Sequence, residues 1–196
     1  MARESKSDKT KQQILDAAAK EFVEKGYNAV TISQIAKRAN LSKQLVHHYF
    51  PGKVKLFETV HETRFRPPAH WDDEIPAKLE DIVAERFRKR SRNIDYMRVL
   101  TWEAASRRMG QLPGERERRH RIDHYAKELA LLQAQGKIPR DMDVTMLHLM
   151  ILALASYPLS FNQVTRLVTG KSGTDPGFTR AWLGFLRKVM RKLLAP

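Results

Sequence analysis

A chain of 196 residues with a net charge of +14 and no cysteine excludes disulfide frameworks, thiolate metal sites and cysteine nucleophiles. Hydrophobic residues make up 42% of the sequence, which is enough to form a packed core. The basic excess favours a polyanionic partner such as DNA, RNA or an anionic membrane surface, with a basic but inert surface as the alternative.

Neither the N-terminus nor the apolar stretches carry a membrane signal. The first residues, MARESKSDKTKQQ, are polar and lack the apolar core of a signal peptide. The longest apolar stretch, 146–157, is shorter than the roughly 20 residues that cross a bilayer. We therefore expect a soluble cytoplasmic protein, and no residue pattern indicates a cofactor.

Start and stop signals divide the first third of the chain into four predicted helices. Thr10 and Thr31 each precede a glutamine by three residues, which is the spacing of a capping box. Ser42 is a good N-cap for a third helix, and Pro51 ends that helix because proline removes a backbone donor. The predicted helices cover 10–25, 31–39, 42–50 and 53–65.

The rest of the chain has helical periodicity and no strand pattern. Asp143 and Asp175 are N-caps by residue type and position, and Ser160 precedes a glutamine by three residues. Pro158 is expected to end or kink the apolar helix before it. We predict an all-α protein of about nine helices, the later ones covering 75–94, 96–109, 115–135, 144–157, 160–168 and 176–194.

The third helix separates apolar from polar side chains. At helical spacing Val46, Tyr49 and Phe50 share one face, whereas Gln44 and His48 point the opposite way. The apolar face would fix the helix to a small core and leave a free polar ridge. We expect that ridge to carry Lys43, Gln44, Leu45, His47 and His48.

Two short helices with a short link over 31–50 predict a helix-turn-helix whose second helix enters the DNA major groove. There Gln44 can bond adenine with two hydrogen bonds, and a histidine can donate to guanine or phosphate. Lys53, at the next helix N-terminus, would add a cation for phosphate. The alternative is a helical hairpin with a solvated face. The adjacent histidines 47 and 48 diverge too far to predict a metal site.

Residues 10–60, which include ILDAAAKEFVEKGYNAVTISQIAKRANLSKQLVHHYFPGKVKLF, resemble the DNA-binding domain of the TetR family of bacterial transcriptional regulators. Gln44 and His47 depart from the residues that are frequent there, so the operator sequence cannot be copied from a relative. The resemblance implies phosphate contacts from Thr31, Tyr49 and Lys53, and base or backbone contacts from Lys43, Gln44, Leu45, His47 and His48. Ser42, the N-cap, completes the predicted DNA-binding set.

The resemblance also implies two domains. An N-terminal arm and a three-helix helix-turn-helix domain would occupy 1–66, and an effector-binding and dimerisation domain 67–196. The two last long helices carry wide apolar stripes, which indicate a dimer interface around a twofold axis, or else only the core of one protomer. The expected interface residues are Leu147, Ile151, Leu154, Phe178, Trp182, Phe185 and Val189.

An effector pocket is only weakly marked. Aromatic side chains with a few polar groups are usual pocket linings, but at helical spacing they also suit a core. The candidates are Tyr96, Arg98, Trp102, Glu103 and Tyr125, and Trp71 is a similar one. Arginines at 86, 88, 90, 92 and 98 suggest an anionic effector, whereas His120 and His124 lie in a charged run that indicates a solvated face.

Taken together, the sequence predicts a dimeric repressor that binds palindromic double-stranded DNA and is released by a small-molecule effector. The alternative is a non-specific basic nucleic-acid-binding protein without an effector. An enzyme is not expected, because the chain has no Gly-rich phosphate loop, no G-x-S-x-G segment and no paired metal motif.

Overall fold

The computed structural model describes residues 6–65, 75–105 and 115–194. These residues form ten α-helices and no strand, which confirms the all-α prediction. A π-helical turn, His61–Phe65, follows α4, and a 3-10 turn, Leu79–Asp81, precedes α5. The helices are α1 Lys6–Ala29, α2 Ile32–Arg38, α3 Lys43–Tyr49, α4 Lys53–Val60, α5 Ile82–Ser91, α6 Ile94–Ala105, α7 Glu115–Ala134, α8 Val144–Ser160, α9 Asn162–Thr169 and α10 Pro176–Leu193. Trp71, the boundary at 66/67 and the predicted helix end at Met109 lie outside the described residues.

Four of the predicted N-caps are present. Thr31 Oγ1 accepts from Gln34 N at 3.3 Å, and Gln34 Oε1 accepts from Thr31 N at 2.8 Å, which completes the capping box. Ser42 Oγ accepts from the backbone N–H of Leu45 at 3.1 Å. The other two caps are the carboxylates of Asp143 and Asp175, each of which accepts from two backbone N–H groups.

Two other predicted caps are wrong. Thr10 lies inside α1, where its hydroxyl donates to the Lys6 carbonyl at 3.0 Å, because the helix already includes that residue. Ser160 is the last residue of α8, which continues through Pro158, and α9 has no side-chain cap. The predicted helix 75–94 is also shorter, because α5 begins only after the 3-10 turn and ends at Ser91.

The backbone contacts divide the chain into two compact units. The first contains Met1–Arg66 and Arg98–Glu115, and the second contains Pro67–Met97 and Arg116–Pro196. In the first unit, α1 packs against α2 and α4 over a core that includes the ring of Phe22, whose centroid lies 4.9 Å from that of Phe57. The buried side chains of this core include Ile14, Leu15, Ala18, Ile35, Val46, Leu56 and Val60.

The second unit is built around α5, which packs against α8 and α10. Phe87 of α5 is fully buried, as are Ile151 of α8 and Leu186 of α10. Two arginines of α10 pair with the carboxylates of Asp81 and Glu80, at 2.5 and 2.7 Å respectively. The hydrogen bond from Arg191 holds the pKa of Glu80 below its ordinary value. These ion pairs anchor the end of α10 to the 3-10 turn.

Among the described residues, no single helix is long and apolar enough to cross a membrane. Helices α8 and α9 have sufficient length and composition only as a pair, and that pair is bent by 83°.

A break in α1 at Gly26 brings α6 onto the first unit. Gly26 has φ 75° and ψ 159°, a conformation that is essentially restricted to glycine. The indole N–H of Trp102 donates to the Val23 carbonyl at 3.3 Å, and an added Cβ at Gly26 would lie 2.8 Å from Trp102 Cδ2. The contact therefore requires both the open backbone angle and the missing side chain.

We expect Gly26→Ala to lower the free energy of unfolding by about 3 kcal/mol, since it combines backbone strain with a clash. Gly136→Ala is the matched control, because Gly136 also has positive φ, 73°, but nothing lies within 4 Å of its Cβ position. The control should lose only about 1 kcal/mol. Urea unfolding at one protein concentration measures both, and equal losses would contradict the role of the Trp102 contact.

Candidate nucleic-acid interface

Helix α3 is anchored by one face and exposed along the other. Val46 is 0% exposed and Phe50, its C-cap, is 2% exposed. Leu45 and Tyr49 are half-buried at the edges of the helix. The exposed face carries Ser42, Lys43, Gln44, His47 and His48. The geometry thus presents amide, imidazole and ammonium groups on a helix whose position is fixed by core packing.

The link between α2 and α3 is a tight turn that determines where this face points. Asn40 adopts φ 52°, a left-handed conformation that asparagine tolerates better than most residues. The Leu41 N–H donates to the Ala36 carbonyl at 3.0 Å, and Gln13 of α1 donates its amide to the Ala39 carbonyl at 2.6 Å. The turn is therefore held both by its own backbone and by α1.

Tyr49 connects α3 with the first turn of α1. Its hydroxyl donates to Ser7 Oγ at 3.2 Å, and its ring meets that of His48 edge-on, with centroids 5.4 Å apart. The hydroxyl group that the family resemblance assigns to a phosphate thus lies beside the N-terminal turn of α1. Sequence reasoning missed Ser7, because no local pattern links it to a residue 42 positions away.

Lys53 differs from its predicted role. Its ammonium donates to the carbonyls of Tyr27 and Val30, both at 2.9 Å, and lies 4.4 Å from the centroid of the Tyr27 ring. Free ammonium groups that contact phosphate extend into solvent, whereas this one is directed into the first unit.

Arg38, at the end of α2, is committed to an internal ion-pair network. Its Nε donates to Glu21 at 2.7 Å and its Nη1 to Glu24 at 2.8 Å. The hydrogen bond from Arg38 is the main cause that lowers the pKa of Glu24. This arginine ties α2 to α1, so the cations left on the exposed face of the helix-turn-helix are supplied by other residues, including Lys43.

The predicted effector residues fall into both units. Arg98, Trp102 and Glu103 belong to the first unit, and Trp102 lies against α1. Tyr96 and Tyr125 belong to the second. Their grouping as one pocket stays a prediction.

The second unit contains a buried cationic and aromatic cluster. The Arg86 guanidinium, in a side chain only 7% exposed, lies 4.0 Å from the centroid of the Tyr125 ring. The His148 ring is 4.8 Å from that of Tyr125. Arg88 pairs with Glu85, and Arg90 donates to the Leu152 carbonyl at 2.8 Å. These arginines therefore support the fold of the unit, and the preference for an anionic effector stays a prediction.

The apolar faces left exposed on the last helices differ from the predicted interface. Leu147, Ile151 and Phe178 are buried within the protomer, at 4%, 0% and 7% exposure, and are not available to a partner. Leu154, Trp182 and Val189 are half-buried, and Phe185 is 54% exposed. The exposed apolar side chains are instead Met146, Leu149 and Tyr157 of α8, Phe161 at the bend, Val164, Leu167 and Val168 of α9, and Phe185 and Leu193 of α10.

Helix α9 is amphipathic with its apolar side outward. Leu167 is 86% exposed and Val168 78%, whereas Thr165 is buried and donates to the carbonyls of Pro158 and Phe161. Sequence reasoning missed this helix as an interface. The signal was present in its apolar spacing, but spacing cannot tell which side of a helix faces the core.

Metal coordination does not contribute to the described geometry. Within residues 6–65, 75–105 and 115–194 there is no group of three or more His, Asp or Glu side chains that could hold an ion. His120 and His124 are exposed on α7.

Comparison with known proteins assigns both parts of the chain. The family model described as bacterial regulatory proteins, tetR family, matches residues 14–60. The model described as a tetracyclin repressor-like C-terminal domain matches residues 76–189, which is more than half of the chain.

Individual relatives extend over most of the length. The chain is 28% identical over 188 residues to the HTH-type transcriptional repressor SCO4008 of Streptomyces coelicolor, which covers 94% of this chain and 95% of the relative. It is 35% identical over 157 residues to the HTH-type transcriptional regulator SrpR of Pseudomonas putida, covering 74% and 71%. The fold is similar to that of NalD, the secondary repressor of the MexAB-OprM multidrug efflux pump in Pseudomonas aeruginosa, with a TM-score of 0.65 and 21% identity over 96% of this chain and 98% of NalD. The chain therefore belongs to the TetR family of bacterial transcriptional regulators, and it is a helix-turn-helix DNA-binding protein.

Proposed function

We propose that this regulator is a homodimeric repressor that binds a palindromic operator in the cytoplasm and is released by a small-molecule effector. The observation that carries the proposal is the exposed face of α3, held on a buried apolar face and an N-terminal cap. Residues 1–66 would bind DNA, and residues 67–196 would bind the effector and form the dimer.

Base reading falls to the exposed side chains of α3. Gln44 offers a donor and an acceptor that match the major-groove edge of adenine, and His47 and His48 can donate to guanine or phosphate. Leu45 can contact a thymine methyl group. Thr31, Ser42, Lys43 and Tyr49 lie at the helix ends and margins, where side chains most often contact phosphate and fix the register.

A dimer supplies the second reading helix. The exposed apolar side chains of α8, α9 and α10 are the surface a second copy would cover, because isolated monomers rarely expose large contiguous apolar patches. Two copies related by a twofold axis would place the α3 helices in half-sites about one helical turn or somewhat more apart.

Release by an effector is supported by the relatives rather than by a described pocket. SCO4008 is named a repressor, and NalD is described as a repressor of an efflux pump. An effector can release the operator only if it binds more tightly to a conformation that binds DNA poorly. Linkage then requires that operator DNA weakens effector binding by the same factor.

The function is tested by selecting bound fragments from a random DNA pool with the purified protein. A palindromic winner, bound at about 150 mM salt roughly 10³-fold more tightly than its scrambled version, is the expected result. No enrichment, with affinity set by salt alone, would instead support a non-specific basic nucleic-acid-binding protein. The winning sequence then serves as the probe for an effector screen.

We expect Gln44→Ala to weaken binding to the selected operator by about 1–3 kcal/mol and to relax the base preference at one position of each half-site. Fluorescence anisotropy with the operator and its single-base variants measures both effects. Affinity for the scrambled sequence is the internal control and should not change. An equal loss on both sequences would place base reading elsewhere.

We expect Leu167→Glu and Phe185→Glu to shift the protein towards monomer and to weaken operator binding, because each places a charge on an exposed apolar face of α9 or α10. Arg166→Glu is the control, since it places the same side chain on the polar side of α9. Sedimentation velocity over a range of concentrations gives the dimer dissociation constant. An unchanged constant in all three variants would exclude these faces from the interface.

A further inference from the structure

The first residue of α4 makes contacts that its position does not lead one to expect. Lys53 is half-buried, and its ammonium joins two backbone carbonyls and one aromatic ring. Both carbonyls, of Tyr27 and Val30, belong to the last turn of α1 and the link to α2. One side chain thus bridges the start of α4 to the segment that leads into the helix-turn-helix.

Helix electrostatics do not explain a lysine at this position. A cation in the first turn of a helix is opposed by the partial positive charge of the N-terminal N–H groups, and α4 has no side-chain cap to offset it. The ammonium is stabilised instead by two carbonyl acceptors at 2.9 Å and by the Tyr27 ring. Those carbonyls lie where α1 ends, so they lack regular helical partners.

The contacted segment controls the placement of α2. Tyr27 packs against Phe57 of α4, with ring centroids 4.9 Å apart, so its ring is held between α4 and the Lys53 ammonium. Val30 immediately precedes Thr31, the N-cap of α2. Fixing these carbonyls therefore fixes the start of the helix-turn-helix relative to α4.

We propose that Lys53 is a positioning residue of the DNA-binding unit and not a phosphate contact. It acts on DNA through Thr31 and the helices that follow, and its ammonium stays on the Tyr27 and Val30 carbonyls when DNA is bound. The proposal rests on the proposed function only in so far as α2 and α3 contact DNA.

The dependence of binding on salt separates the two roles. Each lysine that neutralises a phosphate of duplex DNA contributes about 0.9 to the slope of log K against log salt concentration. Lys53→Met, which removes the ammonium and keeps most of the stem, is expected to lower operator affinity roughly tenfold with no change in this slope. The ratio of operator to scrambled-DNA affinity should fall as well, because a displaced α2 misplaces α3.

Two lysines serve as controls, measured by anisotropy between about 50 and 200 mM salt. Lys43→Met, on the exposed face of α3, should reduce the slope by about 0.9. Lys55→Met, two residues along α4, removes a side chain that is 61% exposed and paired with Glu58, and it should change neither slope nor affinity.

Lys53→Arg is the second test, and it is less disruptive to the fold. A phosphate contact would survive this change, because arginine keeps the charge and reaches further. A positioning role would not, since a planar guanidinium cannot replace a compact ammonium between two carbonyls and a ring. We expect Lys53→Arg to lose affinity with an unchanged slope.

A slope reduced by about 0.9 in Lys53→Met, with normal binding by Lys53→Arg, would overturn the proposal in favour of a phosphate contact. A lower melting temperature in both variants, with unchanged DNA affinity in the folded protein, would also overturn it, because the role would then be only structural. If the selection yields no operator, the proposed function fails by itself. The slope on arbitrary duplex DNA still reports whether Lys53 contacts phosphate.

Discussion

The break in α1 at Gly26 is the constraint on which the DNA-binding unit depends. Because the backbone leaves the helical path there, Tyr27 turns towards Phe57, and the carbonyls of Tyr27 and Val30 become available to Lys53. The same break accepts the indole of Trp102. A single residue without a side chain thus allows contacts from α4 and α6 to converge on the approach to the helix-turn-helix.

The helix-turn-helix itself is stabilised by a division between local and distant interactions. Its helices begin with hydrogen bonds from Thr31 and Ser42, which any short helix could make with its own backbone. Its orientation comes from buried side chains such as Val46 and from the contact of Gln13 with the turn. Local caps define where the helices start, and packing defines which side chains face outward for DNA.

Much of this was predictable from the sequence, and the failures have a common cause. The pattern around 42–50 separated the buried from the exposed face of α3 because the helix is short and strongly amphipathic. The pattern of α8 did not, since it is apolar nearly all round, and Leu147 and Ile151 proved to be core residues. Thr10 resembled a cap but lies inside a longer helix, because a capping sequence does not prevent a helix from starting earlier.

The sequence by itself determined the all-α class, the family, the four side-chain caps and the polar face of α3, because these depend on residues within one or two helical turns of each other. Only the tertiary structure decided that Lys53 points inward, that Trp102 covers Gly26 and that α9 turns its apolar side outward. Each of those features joins residues that are distant in the chain or depends on which face the core occupies. Local spacing carries no information about either.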